Sequence, residues 1–458
     1  MARHGKSRDL FTLWFGGNVT LLAVVNGALA TTVYSEPFPL AVLGLVVGNL
    51  AGAVCMALHA AQGPRLGIPQ LVQTRAQFGR YGALLVIAPV VAMYIGFLAA
   101  SLVLAGQALN FLSGHITVNM GIIAVAAASV LAAVIGYPFI HAYARVMTFA
   151  AGAVLLLAFA RIVAAHHLVT NFWHAGQPGV AGFMGTVTVA AVWQIAYAPC
   201  VSDYSRYLAA DTSSRRAFWA SYAGTGLGSV LPMILGAMIG IQSSDVLGGL
   251  TALGHRSVIV VVAVFTIGMV TTSAMNVYSG ALALITVGQA VFTGWLPKAI
   301  TRAAFAVVIA ALAVVPALES RNDLLVSYTN YIVLLMYVVV PWTAINLTDY
   351  YLIRRGDYDV RQLFLRNGAY GRFNLTAVAC YLAGIACEVP FVNTAVYEGP
   401  MAISLKGADI SWIICLAVIS PLYYLARLAT TRRHLVPRDA QDSTSMRNIY
   451  LSTDGGPG

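Results

Sequence analysis

Twelve apolar stretches, most of them about 20 residues long, follow one another from Phe11 to Leu428 with short polar connections between them. A run of that length is what an α-helix needs to cross the hydrocarbon core of a bilayer. The chain has 458 residues, 59% of them hydrophobic and only 9% charged. Its mean hydropathy is +0.79. Soluble domains carry about 25% charged residues. So few charges cannot cover a water-facing surface of this size, and lipid must be the solvent for much of the chain. No shift in composition divides it. The expectation is one all-α transmembrane domain over 11–429, with short cytoplasmic tails at 1–10 and 430–458.

The candidate spans are 11–33, 38–61, 84–109, 118–135, 146–163, 183–207, 218–241, 258–292, 299–318, 324–352, 375–392 and 410–428. The eighth is long enough for a tilted helix plus an interfacial stretch. The net charge is +10. In a soluble protein that would raise nucleic acid as a partner. Here the basic residues lie between apolar runs and read as a topology signal instead. With the N-terminus placed in the cytoplasm, 22 of the 26 Lys and Arg residues fall on the inner side. Only Arg161, Arg256, Arg321 and Lys406 fall outside. Such a bias follows the positive-inside rule. It predicts a multi-pass protein of the plasma (inner) membrane with both termini cytoplasmic and no nucleic-acid partner.

Cys55, Cys200, Cys380, Cys387 and Cys415 lie inside apolar runs without a CxxC spacing, so neither a disulfide framework nor a zinc site is indicated. No small-residue cleavage pattern follows the first apolar stretch, so no removable signal peptide is expected. The polar segment from Thr430 onward, ending in Gly-Gly-Pro-Gly, is expected to be disordered, and no soluble catalytic domain is expected.

Charge inside a membrane is costly and usually functional. It is scarce here. Asp203, Asp349 and Glu388 sit near span ends and are expected to be interfacial charges that cap or pair locally. A buried carboxylate relay is not suggested, nor is a site for a strongly charged substrate. Interruptions are more informative. Span one carries Gly16-Gly17-Asn18 and Asn26-Gly27; span six carries Gln194 and Tyr197-Ala198-Pro199. Pro199 lacks an N–H and crowds the preceding turn, so span six should kink or break there. Many transporters bind substrate where paired helices break near the midplane. Spans one and six are also five apart, the offset of a five-plus-five inverted repeat. Span eight carries Thr271-Thr272-Ser273 and Asn276-Val277-Tyr278-Ser279. Their oxygens either ligate a hard cation or bond back to their own helix. Trp14, Tyr94, Phe97, Trp193 and Tyr197 offer ring faces for a flat ligand. Trp14, near the cytoplasmic end, reads as a belt anchor.

At these segments the sequence resembles the nucleobase–cation symporter-1 family, the purine–cytosine permease group. The matching stretches are Trp14-Phe15-Gly16-Gly17-Asn18, Asn26-Gly27-Ala28-Leu29, Val47-Gly48-Asn49-Leu50, Gly67-Ile68-Pro69-Gln70 through Arg75-Ala76-Gln77-Phe78-Gly79, and Ile95-Gly96-Phe97 with Gly106-Gln107. Ala198-Pro199, Ser202-Asp203-Tyr204-Ser205-Arg206-Tyr207-Leu208, Asn276-Val277-Tyr278-Ser279 and Asp349-Tyr350-Tyr351-Leu352-Ile353-Arg354-Arg355 continue the order through ten spans.

The resemblance implies a LeuT-type fold, a five-plus-five inverted repeat with two further C-terminal helices, and alternating access around a midplane site. It implies sodium as the coupling ion and no other cofactor. The ligands carried over by position are carbonyls of Phe15, Asn18 and Gly268 and hydroxyls of Thr271 and Thr272. Substrate-facing positions are Val19, Phe97, Ser101, Trp193, Gln194, Tyr197, Ser273 and Asn276. Phe97 stands where family members often have a stacking tryptophan. The implied activity is secondary import of a neutral nucleobase-like heterocycle: cytosine, a purine, a hydantoin, allantoin or a vitamin-precursor pyrimidine. A proton-driven version of the same fold is the alternative. A membrane-embedded enzyme is disfavoured, because neither DDxxD nor HExxH occurs. A monomer is expected.

Overall fold

The structure, a computed structural model, describes residues 5–135, 137–164, 172–292, 294–322, 324–365, 368–394 and 397–435. In lipid, backbone groups find no water, so helices are the natural element. The chain forms α1 (Ser7–Asn18), α2 (Leu21–Thr32), α3 (Phe38–Ala60), α4 (Gly63–Leu66), α5 (Gln70–Phe78), α6 (Leu84–Ser113), α7 (Val118–Ile135), α8 (Tyr137–Ala164) and α9 (Val180–Ile195). It continues through α10 (Val201–Ser205), α11 (Ser214–Gly240), α12 (Val246–Gly249), α13 (His255–Val291), α14 (Ala299–Glu319), α15 (Leu324–Thr348), α16 (Leu375–Glu388), α17 (Pro400–Ser404) and α18 (Ser411–Leu435). Among the described residues eight helices are long and apolar enough to cross a membrane, or nine if α1 and α2 count as one bent span. The helices α9 and α16 are shorter apolar segments.

Both expected interruptions are present. The first span is two helices meeting at 61°. Val19 leaves helical geometry with ψ at 81°, and the Thr20 side chain caps α2 by accepting the N–H of Ala23. In the sixth span, α9 stops at Ile195 and helix resumes at Val201, with Pro199 in the gap. The eighth candidate is long, as expected. It is one continuous helix of 37 residues. At 1.5 Å per residue that is about 55 Å, so α13 must tilt or project beyond the hydrocarbon.

Ser7–Leu10 already belong to α1, and Leu10 is buried. Gly5 donates to the carbonyl of Tyr207 at 3.0 Å. At the other end α18 runs to Leu435. Residues 436–458 of the expected C-terminal tail lie outside the described residues.

The helices pack in two sets. In one, α3 lies on α9 and α11, and α1 and α2 lie on α11. In the other, α6 lies on α7, α13 and α14, and α13 lies on α7 and α14. The first set gathers candidate spans one, two, six and seven; the second gathers three, four, eight and nine. In lipid, helices gain little from apolar burial against one another, so close backbone approach carries much of the packing. Gly27 and Gly236 supply it between α2 and α11. A Cβ at Gly27 would fall 2.0 Å from the carbonyl oxygen of Met233, and one at Gly236 would fall 1.9 Å from that of Val24. Gly27→Ala should therefore force α2 off α11 and cost about 1–3 kcal/mol. A lower melting temperature of the purified protein is the expected result. An unchanged one would show that the contact yields without cost.

Candidate functional site

The two helix breaks face each other across a cavity between the two helix sets. Its walls are Trp14, Gly17, Asn18 and Leu22 from the first break, and Trp193, Ala196, Tyr197 and Cys200 from the second. Met93, Tyr94, Phe97 and Ser101 of α6 and Thr272, Met275 and Asn276 of α13 close it. None of these side chains carries a charge. The water-accessible volume is about 20 Å3, room for about one water molecule. A planar ring enters only if the aromatic walls part.

Rings dominate the walls. Phe97 meets Trp193 edge to face, with centroids 6.1 Å apart, and Trp193 meets Tyr197 the same way at 6.1 Å. Trp14 meets Tyr197 at 5.3 Å. Trp14 is thus not a belt anchor at the water interface. It is fully buried, because α1 is enclosed by α8 and α11.

One amide organises the first break. Asn18 Nδ2 donates to the carbonyl of Trp14 at 2.7 Å. Its Oδ1 accepts from Trp193 Nε1 at 2.8 Å and from Ser229 Oγ at 2.9 Å. These bonds tie α1, α9 and α11 at one point. A second neutral cluster lies behind it. Gln194 Nε2 donates to Asn49 Oδ1 at 2.7 Å, and Thr225 Oγ1 donates to Gln194 Oε1 at 2.5 Å.

The sequence-derived positions divide accordingly. Phe97, Ser101, Trp193, Tyr197 and Asn276 line the cavity. Val19, Gln194 and Ser273 do not line it, and all three are fully buried. Both ends of the Gln194 amide are occupied by protein, so its function in this arrangement is to hold α9 on α3 and α11. Of the cation-site positions, Phe15 O accepts the N–H of Val19 at 3.2 Å, and Asn18 O accepts that of Thr20 at 2.9 Å. Gly268 lies against the break: a Cβ there would sit 3.4 Å from the Val19 carbonyl oxygen. Thr272 Oγ1 reaches across to the Gly17 carbonyl at 2.7 Å. Thr271 instead lines an apolar pocket with Tyr143 of α8. Wall residues that the sequence reading passed over, such as Leu22 and Cys200, flank the breaks directly. Adjacency to a break was the signal that would have found them.

The acidic residues at the span ends, Asp203, Asp349 and Glu388, are buried within the protein. Asp349 does pair locally: Arg354 Nε lies 3.1 Å away, and the hydroxyls of Tyr358 and Tyr423 donate to its carboxylate at 2.6 and 3.0 Å. Asp203 accepts the backbone N–H of Gln70 at 3.1 Å.

A helical membrane bundle with a neutral, ring-lined cavity at paired helix breaks has the make-up of a permease, not of an enzyme. The chain belongs to the nucleobase–cation symporter-1 group: the family model for permeases of cytosine/purines, uracil, thiamine and allantoin matches residues 1–415. The chain is 36% identical over 428 residues to the Bacillus subtilis (strain 168) protein named "Putative purine-cytosine permease YxlA", covering 92% of this chain and 93% of that one. It is 22% identical over 444 residues to the purine-cytosine permease fcyB of Emericella nidulans, covering 92% and 84%. Its fold is that of Mhp1, a nucleobase-cation-symport-1 family transporter solved in a closed conformation with bromovinylhydantoin bound. That match has a TM-score of 0.77 at 17% sequence identity and covers 94% of each chain.

Gln194→Ala tests the positioning role. It would strand Asn49 and Thr225 in a buried site at a cost of about 1–3 kcal/mol. The expected outcome is a lower melting temperature with the order of preference among transported bases unchanged. An intact melting temperature with altered preference would place the amide against substrate instead.

Proposed function

We propose that this chain is a secondary symporter that imports a neutral nucleobase-like heterocycle together with sodium by alternating access. The cavity carries the reading. Its rings offer stacking faces, the side-chain carbonyl of Asn276, whose Nδ2 is held by the Thr272 carbonyl at 3.2 Å, offers an acceptor to a polar edge, and no ionised wall residue opposes a neutral ligand. Cytosine, purines, hydantoins, allantoin and related pyrimidines share that chemistry. The names of the relatives and the hydantoin bound to Mhp1 lie within the same class.

Sodium prefers hard oxygen ligands. The carbonyls of Phe15 and Asn18 flank the break of the first span, and each accepts one backbone N–H while keeping a second lone pair. Thr272, Thr271 and Gly268 stand on the facing helix, and the Thr272–Gly17 contact shows how closely the two elements approach. A cation there would draw α1 and α2 against α13 and order the substrate site beside it. The two helix sets pair spans five apart in the chain, which supports an inverted repeat of spans one to five and six to ten, with two further spans making twelve. The Lys and Arg distribution supports an inner-membrane orientation with both termini cytoplasmic. No step requires a second copy, so a monomer suffices.

Uptake of radiolabelled bases into proteoliposomes tests the coupling. A sodium gradient should drive accumulation that choline does not. Equal uptake in both would remove sodium. Thr271→Ala with Thr272→Ala should raise the sodium concentration for half-maximal uptake by about tenfold, a change of about 1.4 kcal/mol, while the preference among bases holds. Equal loss of both in folded protein would contradict separate sites.

Proton coupling on the same fold is the second reading. Asp203 favours it, as a buried carboxylate just past the second helix break. A protonophore that stops uptake while the sodium gradient persists would select it.

A further inference from the structure

A second cavity, of about 400 Å3, opens between the C-terminal half of α13 and the start of α14. It differs from the transport cavity in charge. Arg206, Lys298 and Arg302 line it, with the hydroxyl-bearing Tyr207 and Tyr278, and no acidic side chain does. Arg206 is only 6% exposed. Its guanidinium has neutral partners: the Asp203 carbonyl at 3.1 Å and the hydroxyls of Tyr207 and Tyr278 at 3.3 and 3.4 Å. The Asp203 carboxylate bonds to the N–H of Gln70 and lies beyond 4.0 Å from the guanidinium, near enough to offset part of its charge. Among the described residues, none of the three cations has a carboxylate oxygen within 4.0 Å.

The start of α14 adds to this positive field. Its N-cap is Lys298, which makes no side-chain cap, and its first turn holds no acidic residue. The exposed N–H groups of a helix start favour an anion. Three cations and a helix start converging on one concavity, with tyrosine hydroxyls as further donors, suit a phosphate group.

The surroundings indicate what carries that phosphate. Phe292, Leu296 and Ile300, on and beside the α13–α14 connection, are 65%, 83% and 72% exposed. The Lys and Arg distribution places this end of both helices on the cytoplasmic side, where anionic lipid headgroups attract basic pockets between helices. We propose that this cavity binds a phosphate-bearing anion, supplied by the headgroup of an anionic phospholipid whose chains lie along those apolar side chains. Bound there, the phosphate bridges Arg206, just beyond the second helix break, to α14 and braces α13 through Tyr278, two residues past Asn276 of the transport cavity.

The test is the melting temperature of full-length protein in dodecyl maltoside with added phosphatidylcholine, with an equal mixture of phosphatidylcholine and phosphatidylglycerol, or with inorganic phosphate. Native protein should melt about 2–4 °C higher with phosphatidylglycerol than with phosphatidylcholine alone. The double variant Lys298→Gln, Arg302→Gln should lose most of that shift while melting close to the native protein in phosphatidylcholine. Native mass spectrometry should show phosphatidylglycerol retained by the native protein and lost from the variant. Protection by inorganic phosphate alone, also lost in the variant, would keep the anion site and assign it to a soluble phosphate. A phosphatidylglycerol shift of equal size in both proteins, or no shift with either additive, would overturn the proposal.

Discussion

The amide of Asn18 is the joint on which the proposed transport site depends. Breaking a helix inside a membrane frees backbone donors and acceptors that have no water to turn to, and each costs free energy if left alone. At the end of α1 the carbonyls of Phe15 and Asn18 accept the N–H groups of Val19 and Thr20, while the Asn18 side chain fixes the end in place by donating to the Trp14 carbonyl and accepting from Trp193 and Ser229. Thr20 does the same for the start of α2. With the break held in this way, the Gly17 carbonyl is available to Thr272 on the opposite helix set. The cavity, its aromatic walls and the approach of α1 to α13 all follow from that one stabilised interruption.

The polar groups behind the cavity are almost all neutral. Gln194, Asn49 and Thr225 join α9, α3 and α11 with amides and a hydroxyl, where a salt bridge would demand two buried charges. Ionised side chains lie mainly towards the ends of the bundle, as in the Asp349–Arg354 pair with its two tyrosines. A neutral centre suits passage of a neutral ring, because no wall charge must be desolvated or matched each time the site opens and closes.

How much was legible varied with the kind of residue. Breaks were legible: Pro199 removes a donor wherever it sits in a helix, and the paired glycines of Gly16-Gly17-Asn18 weaken helix. Directions were not. Trp14 looked like an interfacial anchor from its place near a span end, yet α8 and α11 enclose it. Gln194 had the right chemistry for a base edge and sits one residue from Trp193, but a helix turns about 100° per residue. Trp193 therefore faces the cavity while Gln194 faces α3 and α11. Thr271 and Thr272 separate for the same reason, one toward α8 and one toward the break.

The sequence by itself determined that lipid is the solvent, where the apolar helices lie and at which points two of them must break, because hydropathy and proline chemistry act locally. It also carried the motifs that place the chain among the purine–cytosine permeases. Only the tertiary structure decided which side chains meet in the cavity, which amides are already bound to protein, and that Arg206, Lys298 and Arg302 converge on one pocket. Those facts depend on helix rotation and on glycine-mediated contacts such as Gly27 against Met233, which join residues more than 200 positions apart in the chain.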